Sequence, residues 1–449
     1  MRVLAWTAAF IVLAGGVPTW AQPPAEMPGP APAAPVVPPP FPELTETAPP
    51  EGTSLFDFTP KTSGNPTVEL GGFFQLDTAW FSQSTRNREL LGDAQDGTSF
   101  RSARLWARGQ LLTHINYMLE LDFGGLASLT PGRPVFQNAF VEHASLPWLG
   151  TVRVGRWKQP FSLETATSIR FISFIERANI FAFVPFRRTG VGFFNYSDDE
   201  RWTWAASAFR ATDDGYGGAA NDRGDWATAA RVTRLLWWEN DGRDLFHLGL
   251  AHTWNNAPDQ LARFGRFPEL AVNITPTGRL SRTTPNFFDT GFLPAQSWQV
   301  GGLEAAWVRG PFSMQFEGLL TAVDRIDAGQ VVFPAWYAYA SWFITGEHRP
   351  YLRRLGAFDR VIPNENFIAN RCAGVTGFGA WELLLRVSQV DVNRGGVNGG
   401  LLTDLTFGVN WYLSPHAKMQ FNYIHAIQQD VVVGTSHANL FGLRVAIEF

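Results

Sequence analysis

From about residue 67 to the end of the chain, apolar and polar side chains alternate with a period of two. In "VELGGFFQLDTAW", Val68, Leu70, Phe74, Leu76 and Trp80 fall on one face and Glu69, Gln75 and Asp77 on the other, with Phe73 out of phase. In "ARLWARGQLLT" and "NYMLELDF", Leu105, Ala107, Leu111, Tyr117, Leu119, Leu121 and Phe123 alternate with Arg104, Arg108, Gln110, Asn116, Glu120 and Asp122. The same code returns in "FSMQFEGLLTA", "WELLLRVSQ", "DLTFGVNWYL", "KMQFNY" and the closing "LFGLRVAIEF". Successive strand side chains point to opposite faces, so this pattern predicts strands with one apolar and one polar environment. Each reads as about 8–12 residues long. Residues 308–313 and 413–417 read as tight turns, and 255–297 as a long loop. Roughly 380 residues at about 24 per strand and connection give about sixteen strands.

Composition bears on which solvent the apolar face meets. Of 449 residues only 17% are charged, while 14% are aromatic, with 18 Trp and 37 Phe. Mean hydropathy is nevertheless −0.08. Past residue 20 no apolar run approaches the roughly 20 residues of a spanning helix. Apolar side chains spread over alternate positions are what a membrane barrel requires, because a sheet in lipid must close to satisfy its backbone.

The two ends agree with that reading. Arg2, the apolar "VLAWTAAFIVLAGGV" and "TWAQ" predict a secretory signal over 1–21. Residues 22–50 are dominated by Pro and Ala and, with a lead-in to residue 66, predict an extended linker. The barrel domain is then 67–449. Its last strand stops on Phe449, which looks like the signature read by the outer-membrane insertion machinery. A soluble sandwich or propeller would show the same alternation; the signal, the helix-free run of strands and the terminal aromatic favour the barrel. Trp80, Trp298, Trp342, Trp411 and Tyr423 are candidates for the interfacial girdles. The expected location is the bacterial outer membrane, in contact with its lipid.

Charge narrows the chemistry. A net charge of −4 carries no nucleic-acid footprint. Only Lys61, Lys158 and Lys418 are lysines; every other basic side chain is Arg. A GC-rich genome explains that bias, and so does a need for permanently charged, fork-shaped anion ligands. A water-filled lumen needs polar walls, and Arg104 and Arg108 are in phase with the inward face. Pairing with Glu120 or Asp122 is the alternative use of these arginines. Arg153, Arg156 and Lys158 surround Gly155, where the alternation slips. The following "FSLETATSIRFISFIERANIFAFVPFRR" is the candidate for an inward-folded constriction loop, carrying Arg170, Arg177, Arg187 and Arg188 beside Glu164 and Glu176. Its charges can line the pore or pin the loop to the wall.

Other chemistries lack their residues. The eight histidines show no paired metal spacing, and there is no P-loop or G-x-S-x-G elbow. The loop 213–225 lacks the regular ligand spacing of a calcium site. Cys372 is a single cysteine with no catalytic context. No metal and no cofactor is expected.

Blocks spread over most of 67–449 resemble the phosphate-selective porin O/P family of bacterial outer membranes. They include "FRSARLWARG", "LELDFG", "VRVGRWKQPFSLETATS", "FIERANIFAFVPFRRTGVGFF", "GLEAAWVRGPFSMQFE", "FITGEHRPY" and "FGVNWYLSPHAKMQFNYIH". The resemblance implies a sixteen-stranded antiparallel barrel, a homotrimer, a loop folded into each lumen, and inner-wall cations that draw anions such as phosphate to a constriction. The anion-selectivity candidates are Arg101, Arg104, Arg108, Arg153, Arg156, Lys158, Arg170, Arg177, Arg187 and Arg188. The family commonly carries a second Arg where this chain has Ser102, which implies a weaker arginine series. The expected function is passive diffusion of small solutes with a preference for anions. The alternatives are a general or cation-tolerant porin, a barrel enzyme with rim chemistry, and a secreted soluble β-protein.

Overall fold

The structure is a computed structural model that describes residues 66–124, 134–211, 225–266, 284–370 and 375–449. The expected signal, nearly all of the linker, residues 213–224 of the acidic loop and Cys372 lie outside the described residues. Sixteen strands form one closed antiparallel barrel. They are β1 (Glu69–Gln83), β2 (Gly97–Leu112), β3 (Ile115–Asp122), β4 (Val135–Leu146), β5 (Gly150–Lys158) and β6 (Arg187–Tyr196). Next come β7 (Trp202–Arg210), β8 (Trp226–Glu239), β9 (Asp244–Ala262), β10 (Leu293–Arg309) and β11 (Phe312–Arg325). The last five are β12 (Gly329–Phe343), β13 (Ala380–Asp391), β14 (Leu401–Ser414), β15 (Ala417–Asp430) and β16 (Gly434–Glu448). Each strand pairs with its sequence neighbours, and β16 closes on β1 from Phe73↔Glu448 to Gln83↔Ala438.

The two faces follow the sequence pattern. On β11, Phe312, Met314, Phe316 and Leu320 are exposed on the outside, whereas Ser313, Gln315, Glu317 and Thr321 are buried inside. Aromatic pairs lie at strand ends where Trp342 stacks on Phe312 at 5.6 Å and Trp381 on Trp411 at 5.1 Å; Tyr423, against the girdle expectation, lies mid-strand 5.1 Å from Phe441. Trp298 departs from the girdle expectation. It packs on the interior cluster, 6.2 Å from Phe264, because a bulge between Ala295 and Ser297 shifts the phase of β10. The chain end bonds Gly72 of β1: each backbone N–H of the Gly72–Phe449 pair donates to the other's carbonyl at 3.0 Å.

Strand lengths exceed the expectation in places. β9 has 19 residues and β10 has 17, so the ends of these strands take up both flanks of the expected 255–297 loop. The tight turns are as expected at Gly310–Pro311 and Pro415–His416. Two short helices, Thr85–Leu91 and Leu163–Ala166, interrupt an otherwise all-strand barrel, both in connections.

Among the described residues two connections cross the lumen, and the ends of the β9–β10 connection pack on the first of them through Phe264, Phe288 and Arg266. The constriction loop, 159–186, leaves β5 and bonds the far wall. Asn422 Oδ1 accepts from the Ile175 N–H at 2.8 Å, Asn179 Nδ2 donates to Asp404 Oδ2 at 2.6 Å, and Asn410 Nδ2 donates to the Ser173 carbonyl at 2.7 Å. Its Phe174, Ile175, Ile180 and Phe183 pack on Val323, Phe333, Leu384 and Leu440 of the wall. The inner wall is therefore apolar where this loop covers it, not uniformly polar. Phe73, out of phase in the sequence, belongs here: it points inward and packs with Trp106, Trp157, Ile169 and Ile172.

The second connection is 344–379, between β12 and β13 on the end otherwise closed by tight turns. The period-two alternation does not predict it. Its hairpin Tyr351–Leu352/Ala357–Phe358 enters the barrel. Tyr351 Oη meets His247 Nδ1 of β9 at 2.6 Å, Arg231 Nη2 of β8 donates to the Gly356 carbonyl at 2.7 Å, and Arg360 pairs with Glu448 of β16. β8 and β16 lie on opposite sides of a sixteen-strand ring, so the segment spans that mouth.

Candidate pore constriction

The inward arginines of β2 are ion-paired. Arg104 Nε bonds Asp122 Oδ2 at 2.7 Å, and its Nη1 lies 3.3 Å from Glu120 Oε1. Arg108 Nη2 pairs with Glu69 Oε1 at 2.7 Å. On β5, Arg153 grips Glu142 Oε2 from Nε and Nη2 at 2.8 and 2.6 Å and stacks 4.0 Å over Phe140. Arg156 Nε donates to the Phe136 carbonyl at 2.9 Å. Arg188 Nε donates to the Ala211 carbonyl at 2.8 Å. Arg101 is placed by a register shift: Gln75 pairs with Ser102 and Leu76 with Phe100, which leaves Arg101 as the extra residue. It turns inward to the constriction loop, where it bonds Glu176 with both ends of its fork.

Glu176 is the loop's main anchor. Besides Arg101 it meets Arg444 Nη2 at 3.2 Å and Arg266 Nη2 at 3.9 Å. The loop lies outside the spanning strands; burial there would raise the Glu176 carboxyl, but Arg101, Arg444 and Arg266 hold it down at about 2. Arg444 also takes Asp77 in a two-point grip at 2.7 Å from each nitrogen, and donates Nη1 to the Ile175 carbonyl at 2.5 Å. Arg170 Nη1 pairs with Glu448 Oε2 at 3.0 Å, and Arg386 Nη1 lies 3.4 Å from Glu164 Oε1. Salt bridges between loop and wall thus account for Arg101 and Arg170, and cross-strand salt bridges within the wall for Arg104 and Arg108.

Three of the predicted cations remain, and the fold brings them together at the loop's root. Lys158 Nζ donates only to carbonyls, those of Thr165 at 2.8 Å and Thr167 at 3.0 Å. Arg177 donates to the carbonyls of Glu164 and Thr167, both at 3.1 Å. Arg187 comes no nearer than 4.0 Å to a carboxylate, Glu120, and its buried Nε has no hydrogen-bond partner among the described residues. The fields of Arg177, Arg187 and Arg104 all fall on Lys158, opposed by Glu120. Burial pushes the Arg177 guanidinium down from its ordinary value, while Glu164 and Glu176 pull against it. Carbonyl oxygens hold Lys158 and Arg177, and Arg187 lies at the edge of ion-pair distance from Glu120, so the three cations meet here with few hydrogen bonds to acids.

Sequence reasoning missed several wall residues that complete the frame: Arg231, Arg266, Arg349 and Arg360. The last two sit in 344–379, and Arg231 faces that segment. Four arginines in one connection (Arg349, Arg353, Arg354, Arg360) were the available signal, since a bare turn has no use for them. Among the described residues no group of three or more His, Cys, Asp or Glu is placed to hold a metal.

Comparison with known proteins bears on this geometry. The family model described as phosphate-selective porin O and P matches residues 68–449. The chain is 25% identical over 385 residues to Porin O of Pseudomonas aeruginosa, covering 80% of this chain and 82% of that protein. Among solved structures, the outer membrane channel DcaP of Acinetobacter baumannii aligns with a TM-score of 0.51 at 11% identity, over 87% of this chain and 99% of that one. OmpF of Salmonella typhi aligns with a TM-score of 0.50 at 12% identity, over 86% and 98%. The likeness to these two structures is one of fold.

Proposed function

The chain belongs to the phosphate-selective porin O and P family, and from that premise we propose that Lys158, Arg177 and Arg187 are the anion-attracting element of its pore. The protein is an outer-membrane porin, a channel and not an enzyme in its family and fold. The observation that carries the anion reading is the lack of a carboxylate hydrogen bond to any of the three cations. A buried cation without a hydrogen-bonded counter-ion draws a mobile anion, and a weakly held one leaves room for release. Small oxyanions, phosphate among them, fit the fork of Arg187 and the point charge of Lys158. The net charge of −4 gives no support to this preference; the local distribution does.

The finer features of the reading are these. The chain is exported by the signal at 1–21, carries 22–66 as a linker, and is inserted by the barrel assembly machinery through its C-terminal strand. It assembles as a homotrimer. The end with tight turns and Phe449 faces the periplasm, following the usual disposition of short turns.

The test is reversal potential in planar bilayers under a salt gradient, with chloride and with phosphate. Lys158→Ala with Arg187→Ala is expected to lower the anion-to-cation permeability ratio by roughly threefold or more. Arg108→Ala with Glu69→Gln is expected to change it less, because it removes a cation together with the carboxylate that pairs with it. Discrete conductance with an unchanged ratio in the first pair would remove the cluster from the permeation path. A wild-type potential favouring cations would refute the anion preference and leave the channel standing.

A further inference from the structure

Towards the turn end of the barrel a second cationic site is built from five separate elements. A cleft with about 420 Å³ of open space is lined by Arg170 of the constriction loop, Arg360 of the 344–379 segment, His416 of the β14–β15 turn, Lys418 of β15 and Glu448 of β16. Glu448 is the one carboxylate among the described lining residues. Its Oε2 takes Arg170 Nη1 at 3.0 Å, its Oε1 pairs with Arg360, and His416 Nδ1 lies 3.7 Å from the same oxygen. Lys418 Nζ donates to the Ile172 carbonyl at 3.2 Å. Arg170 Nη2 is buried without a hydrogen-bond partner among the described residues. Asp359 acts on the same arginines without lining the cleft.

We propose that Glu448 is a positioning and specificity-determining residue of the pore, acting in two ways at once. It ties the constriction loop, through Arg170, and the 344–379 segment, through Arg360, to the strand that closes the barrel. It also masks the cleft's positive charge from permeating anions. The two connections that narrow the lumen meet on this carboxylate. Removing its charge unties both and leaves Arg170, Arg360 and Lys418 facing the cleft without a carboxylate. This inference rests on the channel reading of the protein, but not on which end of the pore selects.

Glu448→Gln keeps the shape and the hydrogen-bonding oxygen while removing the charge. It is expected to raise the anion-to-cation permeability ratio by about twofold and to increase open-channel noise. Glu448→Asp keeps the charge and is expected to restore the wild-type reversal potential. Arg360→Gln, measured alongside, removes a cation and leaves the carboxylate, so its shift is expected in the opposite direction. A purely structural role would add noise in both variants without moving the reversal potential. Either variant inserted as stable channels with the wild-type potential overturns the proposal. Wild-type protein that gives no conductance steps overturns the channel reading itself, so the two failures are told apart in the same experiment.

Discussion

Phe449→Asp is expected to prevent the barrel from assembling in the outer membrane of cells. The ring of Phe449 lies on the outside of β16 and packs over a strand made bare for it. A β-carbon on Gly72 would stand 2.6 Å from that ring, and one on Gly71 would stand 2.4 Å from the ring of Trp106. The backbone of Phe449 makes the last closing pair with Gly72. Aspartate can keep that backbone pair. Near the interface a carboxylate on the lipid face costs at most about 1 kcal/mol, so equilibrium stability alone does not predict failure. The expected loss comes from recognition of the terminal aromatic during insertion. Two measurements separate the causes. In cells, the folded, heat-modifiable form should vanish from the outer-membrane fraction. In detergent, the purified variant should still refold. Normal insertion in cells would show that this strand has been misread as an assembly signal.

Arg444→Met is the second large effect. This guanidinium is fully buried and holds Asp77 of β1, Glu176 of the loop and the Ile175 carbonyl together. It crosses the seam where the barrel closes and fixes the tip of the constriction loop in the same contact. Truncating one partner of a buried ion pair costs about 3–5 kcal/mol, because the remaining carboxylates stay desolvated without compensation. Arg101 and Arg266 still serve Glu176, so Asp77 is the group left worst off. The variant should unfold at a lower temperature in heat-modifiability gels and show larger, noisier conductance steps as the loop loosens. Adding Asp77→Asn should recover part of the lost stability and none of the lost quietness, since only the loop contact governs the latter. Wild-type unfolding temperature with quiet steps would show that this contact does not hold the loop.

The reach of the sequence differs between the wall and its contents. Alternation assigned the inner and outer faces of β2, β3, β11, β13, β14 and β15, because strand geometry forces neighbours to opposite sides whatever the fold around them. It failed at Trp298, where a bulge moved the phase, and it could not explain Phe73 until a loop was seen to pack on it. The inward direction of Arg104 and Arg108 was legible from phase alone. That they are neutralised was only one of two readings, because cross-strand register brings Glu120 and Asp122 within reach of one and Glu69 of the other.

By itself, the sequence determined that this chain makes a closed antiparallel barrel of about sixteen strands, greasy outside and polar inside. These are local consequences of a period-two code and of lipid's inability to satisfy backbone groups. Tertiary structure alone decided which of the candidate cations hydrogen-bond an acid and which do not. Lys158, Arg177 and Arg187 look no different in the sequence from Arg101, Arg170 or Arg153. Whether a charge is available depends on the distance to an acid held by another strand or loop, and the sequence pattern does not encode that distance. The 344–379 segment and the carboxylate of Glu448 belong to the same class: they act through contacts between residues remote in the chain, which exist only once the barrel has closed.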